Sequence, residues 1–96
     1  MPDFSRPELD RRLAALSTDL EQFPPGAPCP WPLARVFNEL VKQAKRELTG
    51  DPIIRGTRLI EEARNGDEDS SEALVGTVRA LITQVRVALE APVQSD

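Results

Sequence analysis

Large apolar side chains recur at steps of four, three, four and three over Leu9, Leu13, Leu16, Leu20 and Phe23. That spacing puts all five on one face of a helix. Ser5 can cap its start, with Glu8 completing a capping box and Phe4 and Leu9 forming a hydrophobic staple. Pro24-Pro25 stops it, because neither proline donates the next helical hydrogen bond. The pattern predicts a first helix over residues 6–23. Pro32 suits the first turn of a second helix over residues 32–49. Its broad apolar stripe runs through Leu33, Val36, Phe37, Leu40, Val41, Ala44 and Leu48. Gly50 fits the position after its end.

Asp51-Pro52 reads as a cap and first-turn proline for a third helix over residues 52–65, with Ile53, Leu59, Ile60 and Ala63 inward. Gly56 weakens it, and Asn65-Gly66 ends it. Asp67, Glu68 and Asp69 place negative charge at the next N-terminus, and Asp69 and Glu72 are spaced as a capping box. Leu74, Val78, Leu81, Val85 and Ala88 then repeat four, three, four, widened by Val75, Ile82 and Leu89, up to Ala91-Pro92. A fourth helix over residues 70–90 follows. The expectation is an all-α single domain, a small bundle of four helices with no strands. The heptad rhythm of the first and fourth segments also allows a homodimer.

The stretch "PPGAPCPWP" joins the first two helices and holds five of the nine prolines, the one cysteine and the one tryptophan. Three readings compete. A stiff connector over residues 24–31 would let Trp31 tuck against the end of the core. Pro25-Gly26-Ala27-Pro28 has the P-x-x-P form of a ligand for an aromatic groove, without a basic residue to orient it. Cys29 stands three residues before a helix N-terminus, which favours a thiolate, but the chain has no histidine to serve as its base. The connector is the reading the residues favour.

Composition narrows the chemistry. At 96 residues, 40% hydrophobic and 29% charged, the chain is of soluble globular type, with no apolar run of membrane length and no signal-peptide pattern. A single cysteine cannot form an internal disulfide, and a cytoplasmic protein is expected. No histidine and one cysteine argue against a zinc site; phosphate-binding and dinucleotide fingerprints are missing. No metal, no cofactor and no enzymatic activity are expected.

The net charge of −4 disfavours broad nucleic-acid binding, yet it is unevenly spread. Residues 24–49 carry four basic and two acidic groups, while residues 67–96 carry two basic and six acidic. Arg35, Asn38, Lys42, Lys45 and Arg46 follow at helical steps on the polar side of the second helix, with Glu39, Gln43 and Glu47 beside them. This is either a solvated face with local pairs or a docking surface for an acidic protein patch or phosphates. The expected function is a non-catalytic protein-interaction or regulatory module. Its candidate contact residues are Arg35, Asn38, Lys42, Lys45, Arg46 and Trp31, and its protein partner is unidentified.

The alternative is a helix-turn-helix nucleic-acid binder, with the turn at residues 48–52 and Arg55, Thr57 and Arg58 opening the reader helix. The nine residues Gly50-Asp51-Pro52-Ile53-Ile54-Arg55-Gly56-Thr57-Arg58 resemble a G-x-P-x-I-x-G-T-R stretch of a small antitoxin-like family. That family continues with an apolar residue and proline, where this chain has Leu59-Ile60-Glu61. Glu61 and Glu62 would place negative charge on a helix meant for DNA.

Overall fold

In the computed structural model, residues 5–48, 50–62 and 70–90 are described. In chain order they form α1 (Arg6–Leu20), β1 (Pro28–Pro30), α2 (Trp31–Glu47), α3 (Pro52–Gly56), β2 (Ser70–Leu74) and α4 (Val75–Glu90). The protein is mostly helical, with four helices and one small sheet among these residues. The strand-free expectation is corrected: β1 and β2 pair antiparallel, Pro28 against Leu74 and Pro30 against Ser70.

Helix α1 begins as its residues dictate, with the Ser5 hydroxyl accepting from the Glu8 amide. It ends three residues earlier than expected. Amides of Gln22 and Phe23 turn back to the carbonyls of Asp19 and Leu20, a tighter turn that takes Phe23 off the apolar stripe and into solvent. Leu9, Leu13, Leu16 and Leu20 are all buried. They meet Ala34, Phe37, Leu40, Val41 and Ala44 of α2, and Val75, Val78, Ile82, Val85, Ala88 and Leu89 of α4, in one core. Polar ties along its edge show that α1 and α4 run antiparallel. Arg6 donates to the Leu89 carbonyl at 2.9 Å, Arg86 to Asp10 at 2.9 Å and Arg79 to Glu21 at 3.3 Å.

Helix α3 is one short turn, not the helix over residues 52–65. Asp51 caps it as expected, its carboxylate accepting from Ile53 and Ile54 amides. The Thr57 hydroxyl then donates to the Ile53 carbonyl at 2.8 Å, and residues 57–61 continue without helix. Within the turn Ile54 is buried while Ile53 is 44% exposed; farther on, Ile60 is buried and Leu59 is 40% exposed. The stop at Asn65-Gly66, the capping box from Asp69 and the staple residue Phe4 lie outside the described residues.

Helix α4 starts at Val75, not residue 70, because residues 70–74 are drawn into β2. Leu74, expected on the inner stripe, is exposed there. The connector supplies what the helix start needs. The Val75 amide donates to the Ala27 carbonyl at 2.8 Å and the Gly76 amide to the Pro25 carbonyl at 2.9 Å, meeting two of the open donors of a first turn. The approach is close: a Cβ on Gly76 would stand 3.2 Å from both the Cβ and the carbonyl oxygen of Pro25. Gly76→Val is therefore expected to cost about 1–3 kcal/mol, read as a lower urea midpoint. An unchanged midpoint would mean that the connector yields freely.

Candidate interaction surface

The proline-rich stretch does more than join two helices: it is an edge strand and the cap of α4. Prolines suit an edge strand, which can leave their missing donors unpaired. Trp31 is half-buried against the core at the start of α2, the position expected of it. Cys29 is fully buried, and its thiol donates weakly to the Pro30 carbonyl at 3.6 Å. Burial pushes the thiol above its ordinary pKa, while a hydrogen bond with Ser71 pulls it back in part. A buried, protonated thiol is not presented as a nucleophile.

The raised value has a sign. The folded chain holds this proton more tightly than the unfolded chain, so the stabilisation is complete below the ordinary thiol pKa of 9.0 and is lost as pH climbs through the raised one. The urea midpoint of the protein is expected to fall more between pH 8 and pH 10 than that of Cys29→Ala. Equal falls would remove the thiol as the cause.

Helix α2 carries the other candidates. Arg35, Lys42 and Arg46 are exposed and Lys45 is half-buried. Lys42 pairs with Glu39 at 3.4 Å, an exposed contact between two long side chains that is worth little. Lys45 and Arg46 also lie in the last helical turn, where positive charge complements the helix dipole.

Asn38 departs from this group. Its amide nitrogen donates to the Ile60 carbonyl at 2.8 Å, and its amide oxygen accepts from the Ile60 N–H at 2.8 Å. One side chain thus takes both hydrogen bonds that a neighbouring strand would take, and it fastens residues 57–61 to α2. Both polar ends of the Asn38 amide are thus engaged within the fold. Its polar neighbours on the helix face carried no sign of this, because the matching group is backbone 22 residues away.

Val36 was expected in the core and is 46% exposed. The buried side of α2 is turned toward Ala34, which is fully buried, and away from Val36. Val36 instead helps to line an open groove of about 490 Å³ between α1 and α2, together with Arg12, Pro32, Arg35, Glu39 and Leu40.

The helix-turn-helix geometry does not form. Its reader would be α3, five residues long, and Thr57 is buried with its hydroxyl turned to Ile53. Arg55 and Arg58 are exposed. No helix among the described residues is long and apolar enough to cross a membrane. No protein-family model, no curated protein and no solved structure matches this chain, so the nine-residue resemblance at 50–58 stands without a family behind it.

Proposed function

We propose that this protein is a non-catalytic interaction or regulatory module that works inside the cell through the outer surface of α2. The observation that carries this reading is the contrast along that helix. One side is committed to the core through Phe37, Val41 and Ala44. The other keeps Arg35 and, two turns on, Lys42, Lys45 and Arg46, beside a groove with an apolar lining. Clustered positive charge in an acidic chain attracts acidic protein surfaces and raises the rate of productive encounter. Four helices gathered as a compact bundle would serve as the rigid base for such a face.

The test is affinity capture with the intact protein and with Arg35→Glu/Lys45→Glu. The double reversal is expected to weaken retention of the captured protein by about tenfold, with the circular-dichroism melt little changed. Equal retention by both proteins removes α2 as the contact surface.

A further inference from the structure

Residues 51–60 are pinned to α2 at two places. The Asp51 amide donates to the Leu48 carbonyl at 3.1 Å, where α2 ends. Asn38 holds Ile60 by two bonds of 2.8 Å, more than two turns earlier on the helix. The chain between these anchors must therefore run back along α2. Lys42 and Lys45 lie between the same anchors on the helix, four and seven residues beyond Asn38 and so on its face. Arg55 and Arg58 lie between them on the returning segment, both exposed, while Ile54, Thr57 and Ile60 turn inward. Arg35 stands two turns before Lys42, on the other side of Asn38.

The charges in this region are not balanced locally. Residues 35–58 hold six basic and three acidic side chains in a chain that is acidic overall. Of the three acids, Glu39 is engaged by Lys42, and the Asp51 carboxylate caps α3. Among the described residues, Arg35, Lys45, Arg55 and Arg58 make no side-chain hydrogen bond or ion pair. By contrast, Arg11, Arg12, Arg79 and Arg86 each pair with a carboxylate. Arg58 marks the limit of the positive region, since it lines a hollow shared with Glu61 and Glu72.

We propose that Arg35, Lys42, Lys45, Arg55 and Arg58 form one docking surface, built from two elements, for an acidic segment of a protein partner. The inference rests on the interaction reading above and enlarges it by Arg55 and Arg58. An extended acidic peptide fits better than duplex nucleic acid. It is narrow enough to touch this region alone, whereas a duplex would also meet the acidic remainder of the chain.

The test is an amide-shift titration of the full chain by NMR, in low salt, with a decapeptide alternating glutamate and alanine. A glutamine–alanine decapeptide and a twelve-base-pair duplex serve as comparison arms. The glutamate peptide is expected to shift residues 35–46 and 55–58 along one binding curve, reversed by ~0.3 M salt. Arg55→Glu/Arg58→Glu is expected to weaken it about tenfold with the rest of the spectrum preserved. Shifts confined to residues 35–46 overturn the two-element surface and leave the α2 reading intact. No shift at either stretch overturns both. Tighter binding of the duplex than of the peptide overturns the assignment to a protein segment.

Discussion

Phe37→Ala is expected to lower the unfolding free energy by about 3–5 kcal/mol. Phe37 is the largest of the fully buried side chains. It projects from α2 into the core shared with the α1 leucines and with Val78, Ile82 and Val85 of α4. Removing the ring leaves a void that three helices must close together, and helices held at their ends by hydrogen bonds close it poorly. Against a total stability of about 5–15 kcal/mol, typical of single domains, this is a large fraction. Urea unfolding measured by circular dichroism gives the difference directly. Val87→Ala, at an exposed position on α4, is the matched control and should cost less than about 0.5 kcal/mol. A loss at Phe37 no larger than the control would move the centre of the core elsewhere.

Asn38→Ala is expected to cost about 2–3 kcal/mol. Two hydrogen bonds contribute about 1 kcal/mol each, and the Ile60 N–H and C=O then stand in a partly buried place without partners. Two measurements separate this from a contact role. Amide exchange at Ile60 should lose protection in the variant, and the melting temperature should fall with no partner present. Asn38→Asp keeps the acceptor but sets a carboxylate against the Ile60 carbonyl, so it should rescue nothing. An Asn38→Ala protein with full stability and unprotected exchange at Ile60 in both forms would show the clasp to be unimportant.

The two substitutions mark what was and was not legible beforehand. Apolar spacing alone located Leu9, Leu13, Leu16, Leu20, Phe37, Val78 and Val85, since a helix buries what recurs near every 3.6 residues. The exposure of Arg35, Lys42 and Arg46 was readable for the same reason. The sheet was not. Pro28-Cys29-Pro30 has no strand propensity, and Ser70-Ser71-Glu72 resembles the capped first turn of a helix. Their pairing joins residues some forty positions apart, and no local window contains both partners. The short α3 was not legible because Thr57 and Asn38 compete for the backbone there, one through a hydroxyl and the other through an amide on a different helix. The basic residues Arg55 and Arg58 are plain in the sequence, but the tie of Ile60 to Asn38, which relates their segment to α2, joins groups 22 residues apart and is not.

The connector carbonyls that meet Val75 and Gly76 bear on the order of assembly. The opening turn of the last helix lacks its acceptors until a segment nearly fifty residues earlier has taken its place. The edge strand in turn has no neighbour until residues 70–74 arrive. Each half of the molecule waits on the other, so a partly folded species with one half complete gains little, and unfolding should be all-or-none.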